Sequence, residues 1–187
     1  ISFTKKNVNK NPFPPYMTTT IQIDVYKQFH IGSKKCMEIL QKLYENGFIT
    51  YHRTDSLNIS NEFINKLKNH IVNKYGEDYL KIRTFKTNSK NSQEAHECIR
   101  ITHIDSDTSI LDKLETKIYN MIFIRTLASQ MSSAIYIEYE YIFTNKTPYK
   151  FFSSKQFLKF DGYLILTDVK VQDEIIPKGS ITMENLK

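Results

Sequence analysis

The interpretation of this chain starts from Gly47-Phe48-Ile49-Thr50-Tyr51-His52-Arg53-Thr54-Asp55-Ser56. A helix-forming run ends at the glycine, a short apolar run follows, and hydroxyl, imidazole, guanidinium and carboxylate groups then crowd together. Side chains two residues apart project to the same side of an extended backbone, so Tyr51 and Arg53 are expected to be neighbours. The segment thus combines a hydroxyl that can attack phosphorus with a guanidinium that can hold two phosphate oxygens.

Phosphodiester transfer needs both of these groups. A tyrosine hydroxyl has a pKa of about 10, so it becomes a nucleophile only when another group takes its proton or stabilises its anion. The reaction also concentrates negative charge on the nonbridging phosphate oxygens, which a nearby arginine stabilises. Tyr51 and Arg53 together predict the covalent phosphotransfer site of an enzyme that cuts DNA. Taken singly, each is typical of an ordinary strand tyrosine and a surface arginine.

The composition sets limits on partners and compartment. The 187 residues carry a formal net charge of +6, which favours a polyanionic partner. No apolar run approaches the roughly 18 residues of a membrane helix. Cys36 and Cys98 lie far apart without a metal-binding spacing, so a zinc site is not expected and a reducing, intracellular compartment is indicated. The chain begins at Ile1 without a methionine, and we therefore expect a segment of a longer protein.

Helical patterns dominate the first two thirds of the sequence. Thr18, Thr19 and Thr20 can cap a helix that runs to about His30, and apolar spacing predicts further helices at about 34–46, 61–75 and 110–132. Glycines end the first three, and the second has a predicted buried stripe of Cys36, Ile39, Leu40 and Leu43. The first two helices, joined by a tight turn, resemble a helix-turn-helix arrangement. The last has apolar residues on more than one face and is expected to be the central buried helix. Residues 77–92 are expected to form a surface loop, and residues 91–100 a capped short turn or helix.

The sequence changes character near Ala134. Alternating apolar and polar residues predict strands at 136–143, 151–160, 163–167 and 181–183, with turns at 145–148, 161–162 and 177–179. The predicted fold class is therefore α+β, with a mainly helical domain followed by part of an antiparallel, β-rich domain.

Several segments, in collinear order, resemble the type IA DNA topoisomerases. They are Pro15-Tyr16-Met17-Thr18-Thr19-Thr20-Ile21-Gln22, the run 41–56, Ser92-Gln93-Glu94-Ala95-His96-Glu97-Cys98-Ile99-Arg100, and the runs 125–131 and 157–163. The family patterns are P-[FY]-x-T-[ST]-T-L-Q, Q-x-L-Y-E-x-G-[LY]-I-T-Y-x-R-T-D-S and S-Q-E-A-H-E-A-I-R-P. The second pattern is highly specific, and chance agreement over it is negligible.

This resemblance implies roles for individual residues. Tyr51 matches the nucleophile that joins the 5′-phosphate of a cut single strand, and Arg53 matches the arginine that contacts the scissile phosphate. His96 matches a histidine implicated in binding single-stranded DNA. Five further positions line or support the family's site: Gln41, Glu45, Thr50, Thr54 and Ser56. His52 stands where the family usually has methionine, and it either adds a titrating group or points away from the site.

The resemblance also implies domains that this chain lacks. Residues 1–11 are expected to be a linker, 12–135 the active-site tyrosine domain with helix-turn-helix (CAP-like) character, and 136–187 an incomplete part of the β-rich arch. The full-length enzyme is expected to use Mg²⁺ held by a preceding Toprim domain. No metal site is therefore expected in this chain, which should be inactive alone.

The implied activity is a strand-passage reaction without ATP. One strand is cut through a 5′-phosphotyrosine link, another strand passes, and the cut is resealed, which relaxes negative supercoils. The expected partners are single-stranded DNA, negatively supercoiled DNA and the enzyme's own Toprim and gate domains, with no membrane. The expected location is intracellular, with DNA: the bacterial cytoplasm or nucleoid, or a nucleus, organelle or viral factory.

Two other interpretations stay open at this point. The first is a non-catalytic helix-turn-helix module that only binds DNA, based on the predicted helix pair and the positive charge. The second is a tyrosine recombinase, which typically needs several separated arginines and histidines and forms a link to a 3′-phosphate.

Overall fold

The computed structural model describes residues 2–86, 96–144, 149–167 and 169. Over these residues the chain forms four α-helices and one three-stranded antiparallel sheet, which confirms the predicted α+β class. It divides into two compact units. The helical unit is Pro12–Ser132, and the sheet unit joins Ile1–Asn11 to Ser133–Lys187.

The four helices lie close to their predicted positions. They are α1 (Thr18–Phe29), α2 (Ser33–Glu45), α3 (Asn61–Tyr75) and α4 (Lys113–Ser129). Gly76 ends α3 with a φ of 98°, a left-handed backbone value that favours glycine over residues with a β-carbon. The agreement follows from the local nature of helix signals, because caps and apolar spacing are read within one or two turns.

Helix starts differ from the prediction in detail. The threonines expected to precede α1 lie inside its first turn, where the Thr20 hydroxyl oxygen accepts a hydrogen bond from the Met17 amide at 3.0 Å. Asp112 caps α4 by accepting hydrogen bonds from two amides of its first turn. The cap fixes the start of α4 three residues later than expected.

The core of the helical unit consists of the predicted apolar stripes. Fully buried side chains of the four helices are Ile21 and Val25, Leu40 and Leu43, Leu67 and Ile71, and Ile118 and Ile122. Burying each such side chain contributes about 1.5–3 kcal/mol relative to leaving it in water. The expectation that α4 is a central buried helix with apolar residues on more than one face holds for its C-terminal turn, where Thr126–Ser129 are all buried, but not at Ile124, which is 38% exposed.

The sheet unit has strands β1 (Ser2–Lys10), β2 (Ala134–Thr144) and β3 (Lys150–Phe160). The central strand is β2, and both of its neighbours run antiparallel to it. Residues 1–11 are therefore not a plain linker, because nine of them form β1. The lysines and asparagines of β1 interrupt the apolar alternation that would predict a strand. The residues that stabilise β1 are distant in sequence: Lys6 lies opposite Glu138, and its ammonium nitrogen is 3.1 Å from the Glu138 carboxylate.

Aromatic side chains form the core of this sheet. Ile137, Tyr139, Tyr141 and Phe157 make one buried cluster, and Phe143 packs against it. The strand predicted at 163–167 is wrong, because Gly162–Leu166 forms a short 3₁₀-helix. Its Tyr-Leu-Ile-Leu run lacks the alternation of β2, so nothing in it distinguished a strand from a helical turn. The strand at 181–183 and the turns at 145–148 and 177–179 lie outside the described residues.

The expected surface loop after α3 contains some structure. Glu77–Tyr79 forms a 3₁₀ turn, and Leu80 makes an isolated bridge with Met131. Residues 87–92 of that predicted loop lie outside the described part of the chain. No helix within the described ranges has the length and apolar character needed to cross a membrane.

Candidate active site

Side chains of the Tyr51 segment alternate between solvent and interior. Tyr51, Arg53 and Asp55 are exposed, whereas the residues between and after them are buried. Tyr51 is 45% exposed. The alternation leaves both the tyrosine and the arginine exposed to solvent, although residues 51–56, all of which are described, form no regular strand.

Two rings pack against the ring of Tyr51. Tyr44 meets it edge to face at 5.2 Å between centroids, and His52 does so at 5.3 Å. Tyr44 and His52 lie 6.2 Å apart, so the three rings form a triangle, called here the Tyr51 ring cluster. Edge-to-face contacts of this kind restrict the orientation of a ring, while its exposed fraction keeps part of Tyr51 open to solvent.

His52 lies at the buried side of this cluster. Its side chain is fully buried, and neither ring nitrogen has a hydrogen-bond partner among the described residues. Burial lowers the pKa of His52, the charge of Arg53 lowers it further, and Glu45 opposes the shift. The imidazole is therefore neutral at pH 7. Neither expectation describes this residue fully: its side chain is buried away from solvent, but it packs against the ring of Tyr51 and does not point away from the site.

Threonine and serine side chains of the segment bind backbone groups. The Thr50 hydroxyl donates to the carbonyl of Cys98 at 2.6 Å and accepts from the amide of Arg100 at 2.9 Å. The Thr54 hydroxyl oxygen accepts from the amide of Ser56 at 3.0 Å, and the hydroxyl oxygen of Ser56 accepts from the amide of Asn58 at 3.1 Å. In this structure these three side chains hold the segment's shape.

The segment after His96 joins the other two motif regions. Ile99 bridges to Tyr16, and Ile101 bridges to Ile49, so residues 99–101 lie between the chain before α1 and the chain before Tyr51. A short turn or helix was expected at 91–100. Residues 96–100 form no helix: a bend at His96 is followed by irregular chain, whose backbone groups bond to Asn58, Tyr16 and Thr50. Residues 91–95 lie outside the described range.

Glu97 and Arg100 were not predicted to have a role, although both lie in the motif at 92–100. Glu97 accepts two hydrogen bonds from the Arg100 guanidinium, at 2.6 and 3.1 Å, and a third from the amide of Ser60 at 2.7 Å. Burial raises the pKa of Glu97, but the bonds from Arg100 and Ser60 outweigh this and the net shift is downward. The guanidinium also covers the ring of Phe63 at 4.1 Å. The sequence signal for this ion pair was the spacing of Glu97 and Arg100, three residues apart.

A surface depression, called here the Arg53 groove, brings Arg53 and His96 together. Its lining residues are Thr18, Thr19, Gln22, Met37, Arg53, Thr54, Asp55 and His96. An arginine, an exposed histidine and the first turn of α1 make part of this surface suitable for an anion. Tyr51 is not among the described residues that line the Arg53 groove.

Gln41 and Glu45 lie elsewhere on the helical unit's surface. They sit one turn apart on α2, and the Gln41 amide donates to the Glu45 carboxylate at 2.7 Å. Neither side chain lines the Arg53 groove, so the structure does not bring them into contact with that part of the predicted site. Within the described residues, no group of three or more His, Cys, Asp or Glu side chains is arranged to hold a metal ion.

The fold and the motif positions together define a type IA DNA topoisomerase. The structure is similar to that of full-length topoisomerase I from Thermotoga maritima, with a TM-score of 0.79 and 28% identity, covering 96% of this chain and 31% of that one. A family model described as DNA topoisomerase matches residues 1–184. The chain belongs to this family.

Relatives with the name DNA topoisomerase 1 support this assignment. The protein of that name from Campylobacter jejuni is 38% identical over 190 residues, which cover 94% of this chain and 27% of the relative. "DNA topoisomerase 1 type prokaryotic" from Acanthamoeba polyphaga mimivirus is 41% identical over 136 residues, covering 71% of this chain and 16% of that protein. This chain thus spans about a quarter or less of these relatives' lengths.

Proposed function

We propose that this chain supplies the nucleophile of a type IA topoisomerase, which cuts one DNA strand through a 5′-phosphotyrosine intermediate. The observation that carries the proposal is the exposure of both Tyr51 and Arg53, two residues apart, on a segment whose backbone is hydrogen-bonded in place. Passage of another strand followed by resealing relaxes negative supercoils. The covalent bond conserves the phosphodiester energy, so the cycle needs no ATP.

In the cleavage step the Tyr51 oxygen forms a bond to phosphorus and the bond from phosphorus to the 3′-oxygen breaks. The hydroxyl proton leaves the tyrosine, and a proton reaches the departing oxygen, which becomes a free 3′-hydroxyl. Arg53 stabilises the negative charge on the nonbridging oxygens during this exchange. Resealing is the reverse reaction, in which the 3′-hydroxyl attacks the phosphotyrosine.

The remaining site residues have supporting roles in this proposal. His96, exposed in the Arg53 groove, binds the single strand beside Arg53. Thr50, Thr54 and Ser56 hold the backbone on either side of the nucleophile and its arginine. Gln41 and Glu45 act as a hydrogen-bonded pair on α2 that meets DNA or another domain of the full-length enzyme.

The family's metal does not fit the described part of this chain, because no suitable cluster of ligands is present there. We assign Mg²⁺ to a Toprim domain of the full-length enzyme, and no step above depends on it. In the same proposal, the helical unit is the active-site tyrosine domain and the sheet unit is part of the arch. The partners are single-stranded DNA, supercoiled DNA and the enzyme's other domains, inside the cell where DNA is located.

Tyr51→Phe in the full-length enzyme tests the nucleophile directly. A radiolabelled single strand is incubated with enzyme, the reaction is stopped with detergent, and protein-linked DNA is counted. Tyr51→Phe should give no covalent complex and no relaxation, because the ring is kept and only the attacking oxygen is lost. The control is Tyr26→Phe, which removes the hydroxyl of a tyrosine that is 60% exposed on α1.

The same assay separates the competing interpretations. Relaxation that survives Tyr51→Phe would leave the chain as a non-catalytic DNA-binding module. Labelling each strand end in turn shows which end is attached: a 5′-phosphate link supports the proposal, and a 3′-phosphate link supports a recombinase.

Replacing Arg53 tests the charge stabilisation. Arg53→Ala should lower the cleavage rate about 10²–10³-fold, the effect of removing one donor from a developing anion. Arg53→Lys should recover only part of this, because lysine keeps the charge without the two-pronged geometry. Lys42→Ala removes another exposed cation of the helical unit and should leave the rate unchanged.

A further inference from the structure

Thr18, the first residue of α1, is bound to the peptide groups on both sides of Arg53. Its hydroxyl donates to the carbonyl of His52 at 2.7 Å, the nearer of two carbonyl oxygens within reach, since that of Thr54 lies at 3.0 Å. The hydroxyl oxygen also accepts a hydrogen bond from the amide of Thr54 at 2.9 Å. Its own amide donates to the carbonyl of Thr54 at 3.0 Å. One side chain and one amide therefore bind three backbone groups that surround the arginine.

Because peptide bonds are planar, these contacts restrict the backbone conformation of Arg53. The His52 carbonyl belongs to the peptide plane before Arg53, and the Thr54 amide belongs to the plane after it. Each plane is rigid, so the only free backbone angles between them are the φ and ψ of Arg53. Holding both planes on one hydroxyl restricts those two angles and with them the direction in which the arginine side chain leaves the backbone.

Thr18 is itself firmly placed. It begins α1, which is anchored in the core by the fully buried Ile21 and Val25. The first amides of a helix have no partner inside the helix, and the Thr54 carbonyl supplies one for Thr18. The helix and the Tyr51 segment thus satisfy each other's backbone groups, and the position of α1 is transmitted to Arg53 through a single residue.

We infer that Thr18 is a positioning residue for the cleavage reaction, which orients Arg53 towards the phosphate by binding the backbone on either side of it. The inference rests on the function proposed above. Thr18 also lines the Arg53 groove, and that position by itself suggests a direct contact with DNA. The inferred role is different, because Thr18 acts on Arg53 and not on the DNA. A direct contact would change DNA binding, whereas a positioning residue changes the rate once DNA is bound.

The chain offers a matched control in the same helical turn. The Thr20 hydroxyl accepts from the Met17 amide and donates to the Met17 carbonyl, both at 3.0 Å, and among the described residues it makes no hydrogen bond to the Tyr51 segment. Thr18→Val and Thr20→Val therefore lose the same kind of side-chain hydrogen bonds near the start of the same helix. Only Thr18→Val releases the backbone around Arg53, and Thr18→Ser should restore it by returning the hydroxyl.

The experiment measures single-turnover cleavage of a single-stranded oligonucleotide by the full-length enzyme over a range of enzyme concentrations. Thr18→Val should lower the maximal rate roughly 10- to 100-fold, since a small misplacement of a catalytic group has effects of this order. The half-saturating concentration should stay within about twofold of the wild-type value, and Thr18→Ser and Thr20→Val should keep near-normal rates. Thr18→Ala serves as a second variant with the same expectation, in case valine does not fit.

Two kinetic results would overturn the inference. One is a Thr18→Val rate equal to that of Thr20→Val. The other is a raised half-saturating concentration with an unchanged maximal rate, which would make Thr18 a DNA contact.

Hydrogen exchange of the same proteins gives a readout that does not depend on activity. Peptides covering residues 52–56 should exchange faster in Thr18→Val than in Thr20→Val or the wild type, because the Thr54 amide loses its acceptor. Equal exchange in all three would contradict the inference. Tyr51→Phe is assayed alongside: if it still cleaves, the proposed function fails, while the exchange result still decides whether Thr18 holds this segment.

Discussion

Two parts of the molecule show the same alternation of buried and exposed side chains but maintain it by different means. In β2, continuous backbone pairing with β1 and β3 holds the strand, and the buried side chains fill an aromatic cluster. The Tyr51 segment has only isolated bridges nearby, and hydroxyls of Thr18, Thr50 and Thr54 bind its backbone or that of its neighbours.

This difference distinguishes side chains that stabilise the fold, as in β2, from side chains that are left exposed for function, as in the Tyr51 segment. A paired strand distributes its stabilisation over many backbone bonds, so its side chains are chosen for packing. The Tyr51 segment leaves its solvent side free for Tyr51 and Arg53, and it depends on a few polar contacts for its shape. Single substitutions should therefore affect β2 through lost volume and the Tyr51 region through lost hydrogen bonds or charge.

The largest expected effect on stability is in the sheet. Tyr139 is 1% exposed within the aromatic cluster, so Tyr139→Ala should destabilise the sheet unit by about 3–5 kcal/mol through the cavity it leaves. Hydrogen exchange of β2 peptides measures this locally. The control is Tyr139→Phe: the hydroxyl has no hydrogen-bond partner among the described residues, so its removal should leave stability equal or higher. A large loss in Tyr139→Phe would show that the hydroxyl, and not the volume, matters.

An intermediate effect is expected at the ion pair beside the Tyr51 segment. Glu97→Gln should lower the free energy of unfolding by about 2 kcal/mol, less than for a fully buried pair, because it leaves the Arg100 guanidinium, only 10% exposed, without its anion while the Glu97 side chain is 31% exposed. Urea unfolding measures the change. Glu62→Gln, which breaks the exposed pair with Lys66, is the control and should have little effect.

The pH dependence of Glu97 sharpens this prediction. Its folded-state pKa is below the ordinary value of 4.5, so the stabilisation is complete above pH 4.5 and is lost as the pH falls through the lower, folded pKa. The difference between the wild type and Glu97→Gln should shrink in that acidic window. A difference that stayed constant there would contradict an ionic origin.

The smallest effect is expected at His52, the buried member of the Tyr51 ring cluster. His52→Met should raise stability by about 1 kcal/mol, because two buried nitrogens without partners among the described residues are removed. The folded pKa of His52 is lowered, so the unfolded state takes up more protons than the folded state as the pH falls below 6.5, and stability decreases. The variant should lose less stability over this range.

Urea unfolding between pH 7.5 and pH 5 measures that slope. His103→Gln removes an exposed histidine and serves as the control. The slope should not vanish, since burial also lowers the pKa of His70, which both proteins keep. A slope identical in His52→Met and the wild type would show that His52 takes up its proton equally in both states.

The sequence was a good guide wherever the signal was local. The spacing of Cys36, Ile39, Leu40 and Leu43 predicted the buried face of α2, and all four are buried. It failed where a second segment decides the outcome. β1 exists because β2 pairs with it. The strand predicted at 163–167 was wrong for another reason: its apolar run has no alternation that distinguishes a strand from the 3₁₀-helix formed by Gly162–Leu166. The roles of Tyr51, Arg53 and His96 stay predictions, and the Tyr51 and Arg53 variants above test the first two.

The sequence by itself determined which chemical groups this protein carries, the periodicity of its helices and its family, since all of these are encoded in the order of neighbouring residues. Only the tertiary structure decided that Thr18 binds the backbone around Arg53, that His52 is enclosed without a partner, and that Glu97 and Arg100 support the segment beside the nucleophile. These hydrogen bonds and this burial involve residues that lie tens of positions apart in the sequence, so no local sequence pattern encodes them.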